Sequence, residues 1–149
     1  MKCLTIKPVW AHAIIHLGRP VECRSWQTHY RGPLAIHASA ALGPRANEDA
    51  DWITRVTGLE VPDVLDVGAV IGVVDLVSCM LQTDYGLYHC LNPAQDAASP
   101  WVREVLQSSA DVWIWELRNP RPCEPVDCKG KLGFWEFGGA IVPLGKVGP

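Results

Sequence analysis

The stretch Gly18-Arg-Pro-Val-Glu22-Cys-Arg24-Ser-Trp26-Gln-Thr-His-Tyr30-Arg31-Gly-Pro-Leu-Ala-Ile-His37-Ala-Ser39 decides how this chain is read. Val21, Cys23 and Ser25 alternate with Glu22, Arg24 and Trp26, the period-two order of a strand with two chemically different faces. Glu22 and Arg24 then project to one side, about 7 Å apart along the backbone. Trp26 joins them, so a carboxylate, a guanidinium and an indole face one ligand. Arg19, Tyr30, Arg31 and His37 crowd the same span. Such density of large polar and aromatic groups exceeds what a purely structural segment needs. It suits a pocket for a flat, polar, anionic-backed ligand such as a nucleotide.

Working outward, Cys3 to Ile6 reads as a first strand. Pro8 suits the first position of a helix, where its missing N–H costs nothing, and Gly18 suits the helix end. Trp10, Ile14 and Leu17 recur between them at helical spacing. Downstream of the quoted stretch, 44–56 reads as a polar helix with Trp52, Ile53 and Val56 as its apolar stripe. Val67 to Met80 is valine-rich and apolar on both faces, as in the centre of a covered sheet. Thr83 to Ser99 reads as loop and Pro100 to Ser108 as a short helix. Val112 to Leu117 alternates as a strand that Asn119-Pro120 breaks. Pro122 and Pro125 confine the next extended piece to an edge or an irregular path. The expectation is one α+β domain over 1–138, a small mixed β-barrel with two or three peripheral helices, and a mobile tail over 139–149.

The bulk numbers set bounds. With 149 residues, 48% hydrophobic and 19% charged, the chain has the composition of an ordinary globular domain. A net charge of −3 excludes binding nucleic acid through a global positive field, so any such affinity needs a local basic pocket. Lys7, Arg19, Arg24 and Arg31 supply one early in the chain. No apolar run reaches the roughly 18–20 residues of a membrane span, and the N-terminus has no export pattern. The expected location is cytoplasmic, with the six cysteines as reduced thiols.

These motifs resemble the ASCH family, whose fold is a small β-barrel of the PUA-like type. The family motif G-x-K-x-x-E-x-R, often shortened to G-K-x-x-E-x-R, is matched by Gly18, Arg19, Glu22 and Arg24. Thr5 to Ala11 resembles the family's opening S-I-x-x-P-W-A, and Tyr30 to Ser39 its Y-R-G-P-L-L-I-H-A-S run. Gly72 to Leu76 and Gly130 to Trp135 are similar to a later barrel strand and the closing turn. The resemblance implies binding of single-stranded RNA or of a nucleotide or nucleoside. It also leaves two alternatives: a hydrolase acting on RNA or on a modified nucleoside, and a regulatory protein-interaction module. Arg19 departs from the family lysine. Lysine can lose its proton in a dry site and serve as base or nucleophile, whereas arginine holds its charge. Arg19 therefore argues against an amidohydrolase mechanism that needs a lysine base.

The candidate catalytic residues are Arg19, Glu22 and His37, with Glu22 or His37 as base and Arg19 stabilising negative charge. The candidate ligand-binding residues are Lys7, Trp10, Arg24, Ser25, Trp26 and Ser39. Arg24 offers paired donors to a phosphate or base carbonyl, and Trp10 and Trp26 offer stacking surfaces. Arg24→Ala is expected to weaken binding and leave the fold intact. At least one of Trp113 and Trp115, which share a face of their strand, reads as packing, Trp135 as a seal at the barrel end, and Asp75, set in an apolar strand, as a partner for Arg24 across the barrel. No metal or cofactor is expected. His12 and His16 have i, i+4 spacing but lack the glutamate of H-E-x-x-H, and no cysteine pair has C-x-x-C spacing.

Overall fold

The computed structural model describes residues 1–91, 99–107 and 111–145, with backbone alone over 87–91 and at 107. Its elements in chain order are β1 (Lys2–Ile6), α1 (Pro8–His16), β2 (Val21–Arg24), β3 (Gly32–Ala38) and α2 (Ala46–Thr57). Then come β4 (Ala69–Leu81), α3 (Gln82–Leu91), α4 (Pro100–Gln107), β5 (Trp113–Asp127) and β6 (Phe134–Glu136). The strands form one six-stranded sheet in the order β2-β5-β4-β3-β1-β6. Only β1 and β3 run parallel among these neighbours, with α1 returning the chain between β1 and the rest. This is the α+β, barrel-like architecture that the sequence predicts.

β4 lies between β3 and β5, and its buried run Ala69 to Val74 accounts for its apolar character on both faces. The edge strands β2 and β6 meet through side chains. Trp26, just past β2, sets its ring edge-on to Trp115 of β5 at 4.7 Å and to Phe134 of β6 at 5.3 Å. Trp115 has no exposed surface, and its Nε1 donates to the Trp26 carbonyl at 3.3 Å. An aromatic cluster thus closes the sheet on itself.

Three local readings are corrected. β5 runs through Asn119-Pro120 without ending. Asn119 takes φ +54, and the β4–β5 register shifts nearby, so the strand bulges and continues. β2 pairs β5 only as far as Glu116, so the prolines fall where that edge has no β2 partner. Secondly, residues 82–91 form α3 where a loop was expected. Tyr85 is buried there against Val21, Val102 and Ile114, and such packing outweighs the cost of Gly86 within the helix. Residues 92–98 of the expected loop lie outside the described residues. Thirdly, Asp75 pairs with Arg121 at 3.0 Å and accepts from Asn119, not from Arg24. The β4–β5 register places Asp75 beside this half of β5, and Arg121 holds its carboxyl below the usual range. In the segment expected as a tail, the Glu124 N–H donates to Val142 and the Leu144 N–H to Pro122; 146–149 lie outside the described residues.

His12 and His16 stack on the outer face of α1 with ring centroids 4.8 Å apart. Burial is the main cause that lowers both from the ordinary histidine value of 6.5; the positive charge of His16 also disfavours protonation of His12, while Asp66 opposes the shift. Below pH 6.5 the unfolded chain therefore binds more protons than the folded one. Stability is expected to be full above that value and to fall as pH drops through the folded values. Thermal melts on either side of pH 6.5 should show this slope, and the double variant His12→Gln/His16→Gln should flatten it.

Candidate functional site

The corner between α1 and β2 organises the site. Gly18 adopts φ +75, a left-handed turn that favours glycine, and the Arg19 N–H returns to the Ala13 carbonyl at 3.0 Å. This fixes where Arg19 leaves the helix. Its Nη1 donates to Glu22 Oε1 at 3.2 Å, and its guanidinium lies over the Trp10 ring at 4.6 Å from the centroid. Glu22 Oε1 also accepts from the Cys23 N–H at 3.0 Å, and Oε2 accepts from Arg24 Nη2 at 3.3 Å. The same Nη2 donates to the Thr5 carbonyl of β1 at 3.0 Å. Glu22 is only 7% exposed, so a buried carboxylate holds two guanidiniums, one against an indole and one against the neighbouring strand. Arg24 ties β2 to the Thr5 carbonyl of β1, so Arg24→Ala is expected to loosen the fold as well as the cleft, where the sequence alone suggested an intact fold. Arg19 and burial act in opposite directions on the Cys23 thiol, and burial prevails, raising it above the usual range.

Two cavities meet at this corner and share Trp10 and Cys23. The smaller, about 300 Å³, is a groove whose walls include Thr5, Lys7, Glu22, Arg24 and Ser25. The larger, about 590 Å³, is walled by Trp10, Trp52 and Trp101, with Arg19 at its β2 end. The Trp10 and Trp52 centroids lie 5.9 Å apart and those of Trp52 and Trp101 6.2 Å, each pair tilted, making a continuous indole wall. Asp49 Oδ2 accepts from Trp10 Nε1 at 3.1 Å and sets that ring's orientation. Glu48, Asp51 and Glu104 also line the larger cavity, opposed by Arg45 and Arg55. Carboxylates thus offset the guanidiniums there, and the surplus of positive charge belongs to the groove.

Of the residues singled out in the sequence, Lys7, Trp10, Arg19, Glu22, Arg24 and Ser25 come together around these cavities. Trp26 packs into the aromatic cluster that closes the sheet. Ser39 Oγ donates to the Ala41 carbonyl at 2.9 Å. His37 is 1% exposed, and its Nε2 donates to the Cys128 carbonyl at 2.8 Å, leaving Nδ1 buried without a partner among the described residues. The residues that sequence reasoning missed are Asp49, Trp52, Trp101 and Glu104, supplied by α2 and α4. The one signal concerns the α2 pair, a tryptophan flanked by Glu48, Asp49 and Asp51 on a largely polar helix. Among the described residues no group of three or more His, Cys, Asp or Glu side chains is placed to hold a metal. Among them, too, no helix is long and apolar enough to cross a membrane.

No family model matches the chain. Human activating signal cointegrator 1 is 32% identical to it over 152 residues, covering 98% of this chain and 24% of that protein. The mouse protein of the same name is 31% identical over the same share of each. The chain therefore spans about a quarter of the length of these relatives. Among solved structures, ASCH from Zymomonas mobilis overlays with a TM-score of 0.47 at 16% identity, covering 85% of this chain and 72% of that one. A point mutant of the same protein gives 0.46 at 15% identity. The similarity to activating signal cointegrator 1 runs along almost the whole chain, and the Gly18, Arg19, Glu22, Arg24 motif, which is that of an ASCH domain, builds the corner around which the barrel closes.

Proposed function

We propose that this domain binds single-stranded RNA or a nucleotide, with a base against the indole wall of the larger cavity and the sugar-phosphate at Lys7 and Arg24. The observation that carries this reading is the junction of the two cavities at Trp10. One side offers aromatic surface with carboxylates able to accept from exocyclic amines and ribose hydroxyls. The other offers cations. A cavity of about 590 Å³ is within the range of ordinary small-ligand sites. Binding is favoured over hydrolysis because both oxygens of Glu22 are engaged by arginines, and Arg19 is fixed as a cation. His37, the other candidate base, is bonded to a backbone carbonyl and lines neither cavity.

Titration of tryptophan fluorescence with the four nucleosides and their 5′-monophosphates tests this. Trp52→Ala should weaken both series by about 1–3 kcal/mol, the range for a base stacked on an aromatic ring, or roughly 5- to 150-fold. Lys7→Ala, at an exposed side chain, should weaken only the monophosphates, by about 1.5 kcal/mol or roughly ten-fold. Equal affinities for the wild type and Trp52→Ala, with both folded, would remove the base from this cavity.

A further inference from the structure

The loop Cys128-Lys-Gly-Lys-Leu-Gly133 between β5 and β6 is fixed from beneath. His37 donates to the Cys128 carbonyl at 2.8 Å. Two residues on, Gly130 lies directly against His37 and Thr5. A Cβ there would fall 2.7 Å from His37 Cε1 and 2.7 Å from Thr5 Oγ1, so the close approach requires glycine. Trp135 completes the support: its Nε1 donates to Thr5 Oγ1 at 3.1 Å, and its ring meets His37 edge-on at 5.6 Å. A buried histidine therefore positions a surface loop.

What this support presents outward is Lys129, Lys131 and Leu132, all exposed, with Leu132 99% so. Neither lysine has an ion-pair partner among the described residues, and Asp127, the carboxylate nearest in sequence, pairs with neither. Glu136 on the next strand is taken by Lys2 and the amino terminus. By contrast, Arg19, Arg24 and Arg121 are each held by a carboxylate. Thr5, against which Gly130 rests, is also the residue whose carbonyl receives Arg24 and which lines the groove with Lys7. The loop thus abuts the wall of the cationic groove.

We infer that Lys129 and Lys131 continue the groove as a phosphate track, so that the domain takes a single strand of RNA running past Thr5 rather than a free nucleotide. This rests on the nucleotide-binding reading above and deepens it. A mononucleotide occupies the groove and the indole wall and does not reach the loop. A strand several nucleotides long places further phosphates beside the two free ammonium groups. Phosphate contacts of this kind release counterions and write themselves into the salt dependence of binding.

The test is fluorescence anisotropy of a labelled, unstructured twelve-nucleotide RNA (on the order of a single-domain footprint) across a salt series. Wild type, Lys129→Ala/Lys131→Ala and Lys129→Arg/Lys131→Arg are compared. At ~0.7 per phosphate on a single strand, the alanine variant should lose ~1.4 from the slope of log K against log salt. Its affinity should fall roughly 25-fold at ~0.1 M salt, while the arginine variant keeps the wild-type slope. Binding of 5′-monophosphates should be the same in all three. An unchanged slope and affinity in the alanine variant would overturn the track, as would wild-type RNA binding no tighter than the monophosphate; in either case the cavity reading stands. A loop that instead docks a protein gives the same overturning result here. If the wild type binds neither RNA nor monophosphate, the cavity reading fails and the track fails with it.

Discussion

Glu22→Ala should lower the stability of this domain by about 3–5 kcal/mol, the cost of leaving buried charges without their partner. Arg19 and Arg24 both end on this carboxylate, at 3.2 and 3.3 Å, and their side chains are 11% and 25% exposed. Because Arg24 still reaches water, the lower part of that range is expected. Alanine also strips the Cys23 N–H of its side-chain acceptor. The loss is read as a shift of the urea midpoint with little change in slope, followed by tryptophan fluorescence. Glu22→Gln keeps the size and one acceptor oxygen, and should lose less. Nucleotide affinity should fall in both variants, since Arg19 leaves its place on Trp10 and Arg24 its place on Thr5. A wild-type midpoint for Glu22→Ala would mean that the two arginines are held by something other than this carboxylate.

Trp115→Ala should be as severe, at about 3–5 kcal/mol for truncating a large buried aromatic. Trp115 has no exposed surface and lies between Trp26 at 4.7 Å and Phe134 at 5.4 Å. Those contacts join the two edges of the sheet, so the damage should spread to β2 and β6. Near-ultraviolet circular dichroism should lose aromatic signal, and amide exchange at Val21 to Arg24 should rise more than at Ala69 to Val74 in the sheet centre. Trp115→Phe fills most of the space yet leaves the Trp26 carbonyl without its donor, so it should be intermediate. If Trp115→Ala loosened the centre of the sheet and spared β2, the aromatic cluster would not be what closes the barrel.

Legibility in the sequence followed the range of the interaction. α1 was readable because Pro8 and Gly18 act on their own backbone, and β4 because an apolar run of its length is decided by its own residues. Glu22 and Arg24 were readable as neighbours because residues two apart on a strand share a side. β5 was not, since Asn119-Pro120 breaks a strand in isolation and only the bulged pairing with β4 carries it through. α3 likewise depends on where Tyr85 is buried. The partner of Asp75 was misread for the same reason: register between β4 and β5, not proximity in the chain, decides which arginine reaches it.

The site divides along the same line. The sequence by itself determined the motif, the arginine at position 19 where that motif has lysine, and a cationic cluster too local to act as a global field. Those are properties of single residues and of short spacings. Tertiary structure decided that Trp26 packs and Trp10 faces a cavity, and that His37 supports a loop from within. It alone brought Trp52 and Trp101 from α2 and α4 to complete the indole wall beside Trp10. A strand fixes which way a side chain points, but what it meets there comes from elements far along the chain, and those are set by packing.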